Sequence, residues 1–445
     1  MNRIFYCLLL FSVLLSACRE DRLDNPLDHR LERLVKDAAP TGSLEHFVLP
    51  DKGDLDNIPQ DPSNPLNADK VRLGKMLFFE TGLALAPVHS VGESSYSCGT
   101  CHVPSAGFMP GAKQGIADGG IGFGLNGEDR TKVNIYKEED LDAQGARPLS
   151  LINVAMVTNT GWNGQFGGND ANQGTENIWD VEEATKVNHL GYFGLESQNI
   201  EGLHIHRMVV DKEVTDLYGY TPYFDAAFPD FQEEERYSDV TGSFAISAYL
   251  RTVLANEAPF QRWLKGNELA MSDMQKRGAI LFFGKANCYQ CHNGTSLNNP
   301  SQFHALGVKD LHETGAFKTD ANDRRNRGRG GFTLKDEDLY KFKVPQLYNM
   351  KDAGFYFHGS SKESLREVVE YFNEGKGENA NVPESYLSPQ FHPLGLTEGE
   401  IEDLVEFLKN GLYDRELQHY IPESILSGNC FPNNDPFSQN QLGCE

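Results

Sequence analysis

The chain has no basic run and no apolar stretch long enough to cross a membrane. It carries 40 Lys and Arg against 64 Asp and Glu, a formal net charge of −24. Nucleic acids and anionic lipids attract basic proteins, so we expect no nucleic-acid partner and no membrane adhesion by charge. The sequence also lacks the alternation of strands and helices that is typical of α/β proteins. Its periodic apolar stretches have helical spacing, which predicts a mainly α fold.

Cysteine is scarce, with eight residues in 445, and two of them lie near the N-terminus. Arg3 precedes an apolar stretch, and Leu15-Ser16-Ala17-Cys18 resembles the cleavage site of a bacterial lipoprotein. The resemblance implies cleavage before Cys18 and a lipid anchor on its thiol, which places the mature chain in the periplasm or cell envelope. An ordinary secretory signal with an incidental Cys18 is the alternative. In such an oxidising compartment, Cys430 and Cys444 are expected to form a disulfide, a local clip on a surface tail.

The other four cysteines form two Cys-x-x-Cys-His motifs, one at Cys98, Cys101 and His102 and one at Cys288, Cys291 and His292. Two thiols one helical turn apart can add to the two vinyl groups of haem, while the adjacent imidazole reaches the iron. The rival interpretations are a thioredoxin-type redox pair, which needs a βαβ setting, and zinc held by four cysteines. We therefore predict two covalently bound c-type haems with His102 and His292 as proximal ligands.

A similar string precedes both motifs and indicates an internal duplication. Leu73-Gly74-Lys75-Met76-Leu77-Phe78-Phe79 corresponds to Arg277-Gly278-Ala279-Ile280-Leu281-Phe282-Phe283. Two related cytochrome c-like haem domains follow from this correspondence. The predicted order is a lipoprotein signal peptide over 1–18, a tether over 19–66, an N-terminal haem domain over 67–262, a C-terminal haem domain over 263–415 and a tail over 416–445.

Around the two motifs, residues roughly 64–412 resemble the bacterial di-haem cytochrome c peroxidase and MauG family. The landmarks lie in the order of the family. The resemblance implies that the N-terminal haem reacts with hydrogen peroxide, and that the C-terminal haem relays electrons from a small donor, a cytochrome c or a cupredoxin. The landmarks outside the haem motifs are Asn64-Pro65-Leu66, Arg147-Pro148-Leu149-Ser150-Leu151-Ile152-Asn153, Trp162-Asn163-Gly164, Phe342-Lys343-Val344-Pro345-Gln346-Leu347-Tyr348-Asn349, Tyr356-Phe357-His358-Gly359 and Pro393-Leu394-Gly395-Leu396-Thr397.

The same resemblance implies the residues that act on peroxide. Trp162 matches a tryptophan that lies between the haems and assists electron transfer, and Gln198 matches a distal glutamine. Arg207 occupies the position of the acid-base glutamate, and an arginine cannot serve as a base at neutral pH. Our hypothesis is that Arg207 polarises the bound peroxide while His206 moves the proton, with Glu201 as the other proton carrier.

The iron ligands opposite His102 and His292 also depart from the family. No histidine occurs between His102 and His189. The first haem is therefore expected to be open and ready without prior reduction, unless Met109, His189 or a distant residue supplies a ligand. The sixth-ligand position of the second haem reads Phe372, which cannot bind iron, so Tyr371 and Met350 are the alternatives.

The resemblance further implies a calcium ion between the domains. Its Thr and Pro ligand positions read Ala353 and Phe355 in this chain, so the calcium pattern is not retained.

Three functions remain open from the sequence. The leading hypothesis is a di-haem peroxidase that reduces hydrogen peroxide to water. The second is a MauG-like oxidase that modifies a protein or organic substrate, and the third is a non-catalytic electron-transfer cytochrome. Members of this family also work as oligomers, and the sequence shows no interface.

Overall fold

The structure, a computed structural model, describes residues 25–444 and is mainly helical there, as predicted. The predicted signal with Cys7 and Cys18 lies outside the described residues. Across 25–444, no helix has the length and apolar character needed to span a membrane. The helices are α1 Pro26–Ala38, α2 Ala68–Phe79, α3 Gly194–Ile205, α4 Lys212–Tyr218, α5 Thr221–Ala227, α6 Glu233–Arg236, α7 Asp239–Arg251, α8 Pro259–Leu264, α9 Asp273–Phe282, α10 Arg329–Thr333, α11 Leu365–Glu374, α12 Glu398–Glu406 and α13 Pro436–Leu442.

The described strands are short and form two antiparallel pairs. They are β1 Gly120–Ile121 with β2 Thr131–Lys132, and β3 Asn299–His304 with β4 Phe342–Val344. In the second pair Phe303 lies opposite Lys343, and His304 lies opposite Phe342. This register brings the residues after the second Cys-x-x-Cys-His motif next to the Phe342-Lys343-Val344 segment.

Each Cys-x-x-Cys-His motif follows a helix that packs very closely on a second helix. In the first half α2 lies on α7, and a Cβ on Gly74 would stand 1.8 Å from the Ala245 carbonyl oxygen. In the second half α9 lies on α12, and a Cβ on Gly278 would stand 2.0 Å from the Asp403 carbonyl oxygen. Only glycine fits at either position. The two halves share this arrangement and one continuous hydrophobic core, while the internal duplication and the domain boundary stay predictions.

The predicted tether is wrong for the residues that the structure describes. Helix α1 buries Leu31 and Val35 completely in the main core, because its apolar residues lie on one face. Asp28 of α1 is buried and pairs with Lys276 of α9 at 2.7 Å. A little further on, His46 Nε2 lies 2.7 Å from the Asn293 carbonyl oxygen, one residue after the second motif. The N-terminal segment thus supports the second haem motif.

The C-terminal tail is also packed, and it supports the first haem motif. The predicted disulfide between Cys430 and Cys444 is present. The Pro432 carbonyl accepts a hydrogen bond from Ser97 Oγ at 2.9 Å, directly before Cys98. The expectation of a local surface clip is therefore corrected, because the segment closed by the disulfide lies against the backbone that carries the motif.

Candidate functional site

Both Cys-x-x-Cys-His motifs line the same cavity, which has a volume of about 620 Å³. Each motif begins with a short 3-10 turn, Cys98–Thr100 and Cys288–Gln290. The backbone N–H of His102 donates to the Cys98 carbonyl at 3.0 Å, and that of His292 donates to the Cys288 carbonyl at 2.9 Å. The same local geometry therefore presents two thiols and one imidazole to the cavity twice.

The two motif histidines have the tautomer that an iron ligand requires. His102 Nδ1 lies 3.0 Å from the Phe108 carbonyl oxygen, and His292 Nδ1 lies 2.7 Å from the Leu297 carbonyl oxygen. A carbonyl only accepts, so Nδ1 carries the proton and Nε2 keeps its lone pair for a metal. Burial lowers the pKa of each imidazole to about 4, which keeps both rings neutral. This donor set fits haem iron.

Beside the first motif, a His–Asp pair forms part of the cavity wall. Helix α3 ends at Ile205, and the next residue, His206, places Nδ1 at 2.7 Å from Asp142 Oδ2. Burial lowers the pKa of His206, but the charge and hydrogen bond of Asp142 raise it more, so the net shift is upward. Gln198, on the same helix, also lines the cavity. Asp142 was missed in the sequence because it lies far from His206 along the chain and belongs to no motif.

Arg207 does not line the cavity, and this corrects its expected place beside peroxide. Its guanidinium pairs with Asp118, whose side chain is fully buried, and donates to the Asp140 carbonyl at 3.0 Å. A buried carboxylate needs a counter-charge, and this need holds Arg207 away from the cavity. Glu201 does not line the cavity either. Of the predicted proton-moving residues, the structure brings His206 to the wall.

Trp162 lies where the two halves meet. Its indole Nε1 donates to the Arg147 carbonyl at 2.6 Å, and its own carbonyl accepts from the Lys343 backbone N–H at 2.7 Å. The indole ring stands 6.2 Å from the His358 ring, centroid to centroid. His358 in turn hydrogen-bonds Asp310 at 3.0 Å and stacks on Phe342. An aromatic path therefore runs from Trp162 through His358 to Phe342 in β4, the strand beside the second motif.

The two residues predicted as alternative sixth ligands of the second haem differ in their access to the cavity. Met350 and Phe372 line the cavity, whereas Tyr371 does not. The Tyr371 hydroxyl donates to the Leu306 carbonyl at 2.7 Å, and burial raises its pKa, so both the hydrogen bond and the protonated state oppose iron ligation. Of the two predicted ligands, Met350 is therefore the one that lines the cavity. His304, which sequence reasoning missed, also lines the wall with Nε2 3.5 Å from Cys291 Sγ.

The residues around Ala353 do not fit calcium. The Ala353 carbonyl accepts a hydrogen bond from the Arg147 guanidinium at 2.6 Å, and the same guanidinium donates to Pro110 at 2.8 Å and to Ala112. A buried cation of the chain thus already satisfies the oxygen that would bind the ion. Within residues 25–444, no cluster of three or more His, Cys, Asp or Glu is placed to hold a metal ion.

Comparisons with known proteins agree with the motif order. The model of the di-haem cytochrome c peroxidase family matches residues 68–269. The chain is 28% identical to cytochrome-c peroxidase IdrP1 of Denitromonas iodatirespirans, covering 81% of this chain and 86% of that protein. It is 29% identical to methylamine utilization protein MauG of Methylorubrum extorquens, covering 80% and 81%.

The fold agrees as well. A MauG-like protein associated with microbial copper homeostasis superposes with a TM-score of 0.58 at 24% identity, covering 81% of this chain and 93% of that one. At this identity the likeness concerns the fold alone. Residues 68–269, which include the first Cys-x-x-Cys-His motif, thus match the di-haem cytochrome c peroxidase family, and over about four fifths of its length the chain is similar to cytochrome-c peroxidase and MauG proteins.

Proposed function

We propose that the chain reduces hydrogen peroxide at the first motif, with electrons that arrive through the second. The observation that best supports this proposal is the His206–Asp142 pair on the cavity wall beside His102. Reduction of peroxide to two waters consumes two electrons and two protons, and O–O cleavage requires a group that moves a proton between the two oxygens. Haem covalently bound at Cys98 and Cys101 would supply the iron that binds peroxide and donates the electrons.

The protein's part is proton transfer and orientation. Asp142 holds Nδ1 of His206, so the neutral ring offers Nε2 as the base that accepts the proton of the near peroxide oxygen. The same nitrogen then returns that proton to the far oxygen, which leaves as water. Gln198 lines the same cavity and would hydrogen-bond the substrate. Trp162 would carry electrons between the halves, which is supported by its position between Arg147 and the Lys343 strand.

A turnover experiment on the holoprotein tests this proposal. The oxidised protein is mixed with stoichiometric peroxide, and reduced cytochrome c is then added. We expect fast donor oxidation, and we expect His206→Gln to slow the peroxide step by roughly 10²–10⁴-fold, the usual contribution of a general acid-base group. His204→Gln is the matched control, because His204 is exposed and pairs with Asp239 outside the cavity. Equal rates in the two variants would refute the role of His206.

A MauG-like oxidase is the second proposal, and Arg207 in place of the usual glutamate together with the 29% identity to MauG supports it. The same mixing experiment separates the two. A peroxide-oxidised spectrum that persists in the presence of reduced cytochrome c favours the oxidase. Absence of any spectral change would favour an electron-transfer cytochrome. A low-spin spectrum of the first haem would indicate that a side chain at the cavity, such as Met109 or His206, binds the iron in place of peroxide.

The proposed location is outside the cytoplasm, anchored through Cys18. The disulfide between Cys430 and Cys444 supports an oxidising compartment. Cys18→Ala should move the protein from the membrane fraction to the soluble fraction. Retention in the membrane would contradict the anchor.

A small basic redox protein is the proposed donor, because the chain carries a formal charge of −24. Donor turnover should then fall as ionic strength rises from 10 to 150 mM, values at which the Debye length shrinks from about 30 to about 8 Å. Turnover that is insensitive to salt would contradict electrostatic steering.

A further inference from the structure

Lys343 is a buried cation without a partner in the described chain. Its side chain is 4% exposed, and Nζ has no hydrogen-bonding group or carboxylate within reach among residues 25–444. A charged amine loses several kcal/mol of hydration on burial unless an opposite charge compensates it. The other buried cations described all have hydrogen-bond partners; they are Lys70, Arg130, Arg147, Arg251, Lys276 and Arg329.

The position of Lys343 ties it to the second motif. It lines the cavity and lies in β4. The preceding residue, Phe342, is opposite His304, which lies 3.5 Å from Cys291 Sγ. Pro345, just after β4, lines the cavity together with His292. The unpartnered amine is therefore on the strand that pairs with the segment beside Cys291.

The surroundings add positive charge. The Arg329 guanidinium stands 4.6 Å from the Phe303 ring, and Lys343 Nζ stands 5.9 Å from the same ring. Arg329 donates to neutral oxygens of Asn163, Gly164 and Asn172. Burial and the charge of Arg329 lower the pKa of Lys343 to about 7. This part of the wall is therefore suited to an anionic group that comes with a ligand.

We infer that Lys343 binds a propionate carboxylate of the haem attached at Cys288 and Cys291. A haem held there brings two carboxylates into the cavity, and an ammonium–carboxylate hydrogen bond in a dry site is short and strong. The inference depends on haem at this motif and is independent of peroxide chemistry. Reduction of the iron adds a negative charge, so a nearby cation stabilises the reduced form. Lys343 should therefore raise the midpoint potential of the second haem.

Redox titration of the holoprotein without peroxide tests the inference. Lys343→Met removes the charge, Lys343→Arg keeps it, and Lys341→Met removes a neighbouring charge that is one third exposed and pairs with Asp338. Haem content is measured first, and variants with two haems per chain are titrated. We expect a negative shift of the second-haem potential in Lys343→Met that exceeds the shift in Lys341→Met, and a potential close to the wild type in Lys343→Arg.

Three results would overturn the assignment. One is a Lys343→Met shift no larger than that of Lys341→Met, and another is a shift confined to the haem at Cys98. The third comes from a crystal structure of the wild-type holoprotein, which keeps the test open if the variant fails to fold. A propionate oxygen within about 3 Å of Nζ supports the inference, and separation of Nζ from every propionate oxygen by more than about 4 Å ends it.

Discussion

The two His–Asp pairs on the cavity wall differ chiefly in their access to solvent. In the pair beside the first motif, the His206 side chain is 34% exposed and Asp142 is 5% exposed. In the pair between the halves, His358 and Asp310 are 4% and 5% exposed, and the His358 ring stacks on Phe342 at 3.6 Å. A ring that reaches water can exchange protons during turnover, whereas an enclosed ring can only orient its neighbours. We therefore expect the same two residue types to serve proton transfer in one place and to stabilise the fold in the other.

The supports behind the two motifs differ in a parallel way. The C-terminal segment with the disulfide lies against Ser97 and Cys98, whereas the N-terminal segment reaches Asn293 and α9. Each end of the described chain thus stabilises the haem motif of the opposite half. The thioether of Met350 and the cation of Lys343 also line the cavity, and we expect both groups to act on the haem potential rather than on protons.

Removal of the enclosed imidazole is expected to have the largest effect. His358→Ala leaves the buried Asp310 carboxylate without its partner and opens a gap against Phe342, which should cost about 4 kcal/mol of unfolding free energy. His206→Ala should cost only about 1 kcal/mol, because water can reach the freed Asp142 carboxylate. Urea denaturation of both holoprotein variants measures the difference. Similar losses would contradict the contrast between the pairs.

Removal of the disulfide is expected to weaken the first motif selectively. Cys430→Ser with Cys444→Ser opens a loop with a sequence separation of 14 residues, which corresponds to about 3 kcal/mol. Hydrogen exchange should accelerate at residues 95–101 and remain unchanged at residues 286–292. Equal acceleration at both segments would show that the tail does not support the first motif in particular.

The contrast between the two walls sharpens if Met350 binds the second iron. Met350→Leu should remove a low-spin ligand and lower the potential of that haem by on the order of 0.1 V, since axial ligands set haem potentials over a wide range. Tyr371→Phe should leave the visible spectrum unchanged, because the Tyr371 hydroxyl points to the Leu306 carbonyl. A spectrum altered by Tyr371→Phe alone would reverse the assignment.

The smallest expected effect concerns the pH dependence of the peroxide step. His206 must be neutral to accept a proton, so the rate should rise with pH through its pKa, which Asp142 raises. Asp142→Asn removes that contribution, so the midpoint of this rise in rate should move to lower pH. Arg207 and His102, the other charged or titratable groups near the ring, remain in place in this variant. If the midpoint of the rise in rate does not move, Asp142 is excluded as the cause of the raised pKa of His206.

Much of the site could be predicted because its chemistry is local. The cysteines and histidine of each motif lie within five residues, so one short turn determines their geometry in both halves. Gln198 and His206 were predicted from the family resemblance, and both line the cavity. The packing of the predicted tether from residue 25 onward was missed because the apolar face of α1 is short. The partners of α1, Trp263 and Lys276, lie far along the chain.

By itself, the sequence predicted two haem attachment sites with their proximal ligands, and it determined a mainly helical fold. The tertiary structure alone decided that His206 meets Asp142, that Arg207 is held by Asp118, and that Lys343 is buried without a counter-charge among residues 25–444. The physical reason is the distance along the chain between the residues that interact. Bonding within one turn depends on neighbouring residues, whereas the partner and hydration of a charge depend on segments that meet after the chain has folded.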